Sequence, residues 1–298
     1  MGFLTSFKAG KAYRLQQKGQ KEEALKLYEE AFAEGLNEPR YNLAYALMMI
    51  RNGEYQKAKD FLVKHQKAPG MTPDQRVTLL VDYAACCFRL GDLDKGINTL
   101  EQQFRKTETG LLYQTLGYLY VEKYDAAHRP VFDEPEKADE DPAEEPAEAA
   151  EDAAEETEAA AGETEDAAAG TAGDEGAEEE PLSPAEAWDA GVEKAEAFIR
   201  KSLEYDDEDA ICLDNMGQFL YRVRGDKEGA KAWFEKAIAI KNTQIDTLYF
   251  LSRYDEEAGD REAALEKLEK AAGGRFSPLN YCDRETIMKQ IEKLKGAN

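Results

Sequence analysis

The amino-acid sequence predicts an all-α protein. We expect a right-handed α-solenoid of about six helix pairs with a C-terminal capping helix, interrupted by one disordered acidic insertion. The first observation is a glycine-centred turn that recurs at a spacing of 34 residues, from Gly19 to Gly53 and from Gly225 to Gly259. The second is a set of three residues after such turns: a small residue, a bulky residue four positions later, and another small residue three positions after that. This spacing places all three on one helical face. The third is that the segment 131–180 carries nearly all of the net charge.

The first three copies of the repeated unit lie in the N-terminal part of the chain. Helix-sized amphipathic segments flank Gly19, Gly53 and Gly91. Gly91 follows Gly53 by 38 residues, and the four additional residues fall in 68–74, a turn rich in proline and glycine where an insertion costs little. Residues 3–124 are therefore predicted to hold three helix pairs and the first helix of a fourth.

The acidic insertion interrupts the fourth copy. Residues 125–181 contain five prolines, and no large apolar residue lies between Phe132 and Leu182. Such a composition cannot bury enough apolar surface to offset the entropy lost on folding. We therefore expect residues 125–181 to be a disordered, Ala/Glu/Asp-rich insertion.

The helical pattern resumes with a clear start signal. Ser183 suits the N-cap, Pro184 suits the first helical position, and Glu186 completes a capping box. The following helix supplies the second helix of the fourth copy, so the insertion is predicted to lie within one helix pair. Residues 182–298 are then expected to hold this helix, the fifth and sixth pairs, and a capping helix over 283–294.

The packing positions of the copies share one residue chemistry. In chain order they are Ala24, Tyr28 and Ala31; Ala58 and Leu62; Ala195, Ile199 and Ser202; Ala230, Phe234 and Ala237; and Ala264, Leu268 and Ala271. These positions and the period of 34 residues resemble those of tetratricopeptide repeats. There are three departures. The third copy has Gly96 in place of the signature alanine, one additional residue precedes Gly225, and the family's usual proline after the second helix is absent from nearly every copy.

The resemblance implies a concave groove, lined by the first helix of each pair, that holds a protein segment. Tyrosine and arginine are frequent binding anchors. The groove candidates on the first helices are Tyr13, Gln17, Arg51, Arg89, Tyr118, Gln218, Tyr221, Arg222, Tyr249 and Arg253. The alternative is that several of them pack between repeats.

The charge distribution argues against nucleic acid as a partner. Residues 131–180 contain 22 acidic residues and one lysine, whereas the rest of the chain has 40 acidic and 37 basic residues and lacks a basic excess. The insertion has three interpretations: a solvating segment, a cover that competes for a basic groove, or a recruiter of a basic partner. The cover is suggested by the arginines among the groove candidates.

The sequence contains no recognisable catalytic, cofactor or metal motif. P-loop, GxGxxG and HExxH patterns are absent, and the four cysteines lack zinc spacing. We expect the cysteines to be core residues in a reducing compartment and His65 to lie on a helix surface. The N-terminus has no apolar run long enough for a signal peptide or a membrane span. These observations predict a cytoplasmic protein that is not an enzyme and has no cofactor, metal or membrane span.

We therefore expect an interaction scaffold or adaptor that binds a protein or peptide segment in the concave groove. The alternative is a structural subunit of a larger complex or a homo-oligomer, in which the acidic insertion recruits a basic partner. The oligomeric state is open in both hypotheses.

Overall fold

The computed structural model describes residues 2–132 and 182–296, which contain thirteen α-helices and no strand. The helices are α1 (Gly2–Gln17), α2 (Lys21–Ala33), α3 (Pro39–Arg51), α4 (Tyr55–His65), α5 (Pro73–Arg89), α6 (Leu93–Phe104), α7 (Gly110–Lys123), α8 (Pro184–Tyr205), α9 (Ala210–Gln218), α10 (Lys227–Ile240), α11 (Ile245–Glu257), α12 (Arg261–Ala272) and α13 (Arg284–Gly296). The predicted all-α solenoid of six helix pairs and a capping helix is confirmed. The predicted disorder of the acidic insertion concerns residues 133–181, which lie outside the described part of the chain.

The chain divides into two units. The first comprises residues 1–129 and 188–298 and holds the stacked helix pairs. The second comprises residues 130–187, of which 130–132 and 182–187 are described. None of the described helices combines the length with the apolar composition that a membrane span requires.

The repeated small and bulky residues form the core, as the sequence predicts. In α10, Ala230, Phe234 and Ala237 are fully buried, and the corresponding residues of α2, α4, α8 and α12 are buried as well. The ring of Phe234 stacks on Phe250 of α11 with 5.1 Å between the centroids and 5° between the planes. The bulky position thus joins one helix pair to the next through buried aromatic surface.

Gly217 permits the close approach of α9 to α10. A Cβ atom at this position would lie 2.7 Å from two ring atoms of Phe234, which has no room to move. We expect Gly217→Ala to lower the free energy of unfolding by about 1–3 kcal/mol, because the core would be overpacked. Urea denaturation measures this change. Gly296→Ala is the control, since a Cβ there meets nothing within 4 Å, and equal effects of the two substitutions would contradict the packing argument.

Side-chain caps set the starts of several helices. Thr72 and Gln75 form a complete capping box at the start of α5. Ser183 and Glu186 make the same reciprocal bonds, 3.3 Å from the Glu186 amide to Ser183 Oγ and 2.9 Å from the Ser183 amide to Glu186 Oε2. The start signal predicted for α8 is therefore confirmed.

The additional residue before Gly225 is absorbed by a π-helical segment. Gly217 lies eight residues before Gly225, whereas the corresponding Ser252 of α11 lies seven residues before its turn glycine. Residues Phe219–Arg224 are π-helical and continue α9 up to Gly225, which has φ +70°. A π turn takes up one more residue than an α turn, and such turns are frequent at functional sites.

The folded structure continues past residue 125, where the sequence placed the start of the insertion. Asp125 is buried, and its Oδ1 accepts a hydrogen bond of 2.8 Å from the amide of Ala127. This bond caps a 3₁₀ turn over Ala126–His128. Asp125 belongs to the fold because its carboxylate also binds Arg222.

The connection between α12 and α13 is the longest described link between consecutive helices of the C-terminal part, at 273–283. We call its residues 274–281 the strap. Helix–helix connections usually contain two to eight residues, and longer ones tend to have a role of their own. The base of the strap is fixed by Arg284, whose Nη2 donates to the Gly274 carbonyl over 2.8 Å.

Candidate binding surface

The first helices of the pairs line a cavity of about 460 Å³. Its walls come from α3, α5, α7, α9 and α11, the loop before α11, and the strap. The lining includes Leu47, Ile50, Asp82, Tyr118, Asp214, Lys241, Asp246, Arg275, Leu279 and Asn280. The inner surface of the repeats therefore encloses a space of ligand size, with the chain's own strap as one wall.

Arg89 of α5 holds the strap by its backbone. Its Nε donates to the carbonyl of Pro278 over 2.7 Å, and its Nη2 donates to the carbonyl of Asn280 over 3.1 Å. The guanidinium presents several donors in a fixed plane, which suits two carbonyls of one tight turn. Arg89 thus recognises main-chain atoms of a segment 189 to 191 residues away in the sequence.

Tyr281 anchors the other end of the strap. Its ring packs against Phe250 at 5.0 Å and Tyr249 at 5.7 Å between centroids. The guanidinium carbon of Arg222 lies 4.1 Å from the centroid of the same ring. Aromatic packing and a cation–π contact therefore fix this side chain on α11 and the π-helical segment.

Asn280 lies between these anchors and completes a tight turn. Its backbone amide donates to the Ser277 carbonyl over 3.1 Å, and its Oδ1 accepts from the Ser277 amide over 2.7 Å. Its Nδ2 donates to Asp246 Oδ2 over 3.0 Å. The strap thus offers Asp246 neutral donors, the Asn280 amide and the backbone at Tyr281.

Arg222 is the centre of a buried ionic network. Its Nε donates to Asp125 Oδ2 over 2.8 Å, and its Nη1 donates to Glu122 Oε1 over 2.7 Å and to Gln218 Oε1 over 2.9 Å. The side chain of Arg222 is only 4% exposed. Glu122 and Arg222 occupy the same position in successive copies, five residues after Gly117 and Gly217.

Asp214 and Asp246 form a second acidic pair beside this network. Asp214 accepts hydrogen bonds from Thr247 and Gln218, and burial raises its pKa to about 6. Burial, followed by the charge of Asp214, raises the pKa of Asp246 to about 7. Asp246 Oδ1 is buried and has no hydrogen-bond partner in the part of the chain that the structure describes. Burial also raises the pKa of Tyr118 well above its usual value.

At the end of the cavity formed by α3 and α5, positive and negative charges are more evenly balanced. Asp82 of α5 has its pKa raised to about 7 by burial, and the positive charge of Arg51 opposes this shift. Arg275 of the strap lies close enough to Arg51 to lower the pKa of Arg51, after the larger effect of burial. The cavity is therefore most acidic at its α9–α11 end.

The structure places the ten groove candidates in three different environments. Tyr13, Gln17 and Arg51 are exposed on α1 and α3. Four candidates are half-buried: Arg89, Tyr221, Tyr249 and Arg253. Arg89 and Tyr249 contact the strap. Tyr221 packs against Phe234 and Phe250, and Arg253 pairs with Glu256. Tyr118, Gln218 and Arg222 are buried.

The arginines among the groove candidates suggested a basic groove, and the structure corrects this interpretation at two of them. Arg222 is neutralised by Glu122 and Asp125, and Arg89 is bound to strap carbonyls. Within the described residues, the strap lies against the inner surface, and the strap groups that are bound there are neutral: backbone carbonyls, the Tyr281 ring and the Asn280 amide. Residues 133–181 of the acidic insertion, the candidate cover, lie outside the described residues. The number of arginines on the first helices suggested too high a positive charge for the groove. The carboxylates that pair with Arg222 come from another copy of the repeat, so the local sequence does not show them.

Sequence reasoning missed the acidic residues of the cavity. Asp82, Asp214 and Asp246 each interrupt an apolar stretch of a first helix, and the strap is an unusually long connection rich in turn residues. A lone aspartate among apolar residues on a first helix is the signal that identifies them.

Two expectations about single residue types have different outcomes. The four cysteines are buried, as predicted, and burial raises the pKa of Cys86 and Cys212 to about 12. The expectation that His65 lies on a helix surface is wrong. His65 is buried, its Nδ1 lies 2.9 Å from Asn37 Oδ1, and its ring packs on Phe61 with 4.2 Å between centroids.

Comparison with known proteins supports the same fold. Residues 17–103 match the profile of the family described as anaphase-promoting complex, cyclosome, subunit 3. No curated protein sequence matches the chain significantly.

Three solved structures illustrate the structural similarity. The crystal structure of TTC0263, a thermophilic TPR protein in Thermus thermophilus, has a TM-score of 0.54 and 14% identity, and the match covers 87% of this chain and 99% of that chain. A chain of the APC/C hetero-tetramer Cut9-Hcn1 has a TM-score of 0.54 and 12% identity, over 95% of this chain and 41% of that chain. PilW, a widely conserved type IV pilus biogenesis factor, has a TM-score of 0.53 and 12% identity, over 97% of this chain and 100% of that chain.

At these identities the similarity establishes the fold and carries no partner or activity to this chain. The repeat period, the buried small and bulky residues and the matching structures agree with one another. The chain therefore has the fold of tetratricopeptide-repeat proteins.

Proposed function

We propose that this protein is an interaction scaffold that binds a segment of a partner protein on its inner surface, without catalysis. The observation that carries the proposal is the strap, which is bound there by side chains from α5, the π-helical segment and α11. The contacts to it use backbone carbonyls, an aromatic anchor and a polar side chain. These are the groups with which proteins commonly recognise peptides.

The strap defines how partner binding would proceed. It occupies the same helices that a partner segment would contact, so partner and strap compete. Because the strap is tethered, its effective concentration is in the range of about millimolar, and a partner must bind more strongly than the strap does. Binding is then reversible and selective for segments that outcompete the internal one.

The experiment uses the strap sequence as the probe. A capped peptide of residues 274–281 is titrated into the full chain carrying Leu279→Ala and Tyr281→Ala, which weaken the internal strap while leaving the inner helices unchanged. We expect micromolar binding by isothermal titration calorimetry. Binding to the wild-type chain should be weaker by about tenfold or more, because the intact strap competes.

An arginine substitution tests the location of the bound peptide. Adding Arg89→Ala to the weakened-strap chain should reduce peptide affinity about tenfold, because two hydrogen bonds from a charged donor are lost. Arg105→Ala, at the exposed C-terminal end of α6, is the matched control and should leave the affinity unchanged. Circular dichroism confirms that each variant is folded. Millimolar or absent binding to the folded weakened-strap variant would refute the proposal.

A further inference from the structure

We propose that the partner segment which displaces the strap carries a lysine, and that its ammonium group binds at Asp246 in the place of the Asn280 amide. This inference rests on the proposed function and adds the chemistry of the partner. Four features of the described residues support it: the charge balance, the unpaired acceptor, the adjoining cavity and the weakness of the present contact.

The charge balance beneath the strap favours a cation. Among the described residues, Glu122, Asp125, Asp214 and Asp246 all interact with the guanidinium of Arg222. Lys241, at the edge of the cavity, adds a weaker positive influence on Asp214. Four carboxyl groups thus face two cations, and Arg222 is already committed to Glu122 and Asp125.

The hydrogen bonds of Asp246 are incomplete. Asn280 and the backbone at Tyr281 hydrogen-bond its carboxyl group, but its Oδ1 has no hydrogen-bond partner among the described residues, although Asp246 is only 3% exposed. The hydroxyl of Tyr118 is also buried and lies close enough to Asp246 for the charge of Asp246 to raise the pKa of Tyr118. An ammonium group carries three donors, so it can bind both carboxylate oxygens or one oxygen and the hydroxyl.

The adjoining cavity has room for a longer side chain than asparagine. Leu47 and Ile50 contribute apolar walls that do not belong to the strap, and Asp246 lies at the acidic end. A lysine side chain combines an aliphatic stem with a charged tip, so it suits a passage of apolar walls that ends at a carboxylate. Displacement of the strap would enlarge this passage, since the strap forms one of its walls.

The strap supplies only neutral donors at this position, the Asn280 amide and the backbone at Tyr281. Hydrogen bonds from a charged donor to a carboxylate are roughly twice as strong as those from a neutral donor. The strap is therefore a weak internal ligand at Asp246, and a segment with lysine there has an advantage over it. This difference lets a partner compete with a tethered segment.

The experiment compares three capped peptides of residues 274–281 on the weakened-strap chain described above: the native sequence, Asn280→Lys and Asn280→norleucine. We expect the lysine peptide to bind about tenfold more tightly than the native peptide. The norleucine peptide should bind no better than the native one, which separates charge from length. Adding Asp246→Asn to the chain should reduce the advantage of lysine to about twofold or less.

A second measurement uses the intact protein. Four full-length proteins form a double-mutant cycle: the wild type, Asn280→Lys, Asp246→Asn and the combination of both substitutions. The midpoint of urea denaturation is measured for each. We expect a favourable coupling between the lysine introduced by Asn280→Lys and the carboxylate of Asp246.

The outcomes separate the two proposals. Failure of the native peptide to bind refutes the scaffold function itself. Binding of the native peptide without a gain for lysine, or a gain that persists in Asp246→Asn, refutes the lysine inference alone. An absent or unfavourable coupling in the cycle also counts against it.

Discussion

Arg222→Met is expected to lower the free energy of unfolding by about 3–5 kcal/mol, because it leaves Glu122 and Asp125 buried without their cation. The guanidinium lies between α7, the 3₁₀ turn after it and the π-helical segment, and it also contacts Tyr281 of the strap. Methionine retains much of the volume, so the loss reports the charge and the hydrogen bonds. Urea denaturation at pH 7 measures it.

Arg224→Ala is the matched control for this substitution. Arg224 pairs with Glu193 and Glu196 near the surface, where ion pairs contribute about 1 kcal/mol or less. Combining Arg222→Met with Glu122→Gln and Asp125→Asn should recover part of the lost stability, because the unpaired charges are removed. A loss below about 1 kcal/mol for Arg222→Met alone would contradict a buried ionic network.

Asp246→Asn is expected to stabilise the protein by about 2–4 kcal/mol at pH 8 and to have little effect at pH 4. The pKa of Asp246 is raised to about 7 in the folded protein, mainly by burial and then by Asp214. The folded state therefore holds a proton that the unfolded chain releases near pH 4. Its contribution to stability is present at low pH and is lost as the pH rises through about 7.

Several groups oppose this shift without cancelling it. Asn280, the backbone at Tyr281 and the charge of Arg222 lower the pKa of Asp246. Asparagine removes the buried negative charge and keeps the shape of the side chain, so the pH-dependent term should disappear. Denaturation curves from pH 4 to pH 8 measure the change for wild type and Asp246→Asn.

The control for the pH series is Asp60→Asn, a change at an exposed carboxylate of α4. It should leave the pH dependence unaltered. If Asp246→Asn destabilises the protein equally at pH 4 and pH 8, its effect is a packing effect and the assignment of a buried carboxyl group with a raised pKa is wrong.

Both substitutions act on the region beneath the strap. Arg222 joins the ionic network to the Tyr281 anchor, and Asp246 joins the second acidic pair to Asn280. The free energy of unfolding of the repeats and the binding of the strap to the inner surface are therefore coupled. A partner that displaces the strap would also change the environment of these buried charges.

The sequence alone determined the repeat architecture. Ala230, Phe234 and Ala237 show why, since their spacing reports which face of α10 is buried, and the same spacing recurs in other copies. Helix starts such as Ser183 were also readable because a capping box involves residues only three apart. These features involve residues that are close together in the sequence, and the same patterns recur in several copies of the repeat.

Only the tertiary structure decided what the inner surface presents. Arg222 and Glu122 are 100 residues apart in the sequence, and Arg89 reaches carbonyls of the strap 189 to 191 residues away. A periodic pattern indicates that a residue is buried or exposed, but it does not state which charge from another copy faces it. The neutralisation of Arg222 and the acidic environment of Asp246 therefore arise from the stacking of the repeats and from the return of the strap onto them.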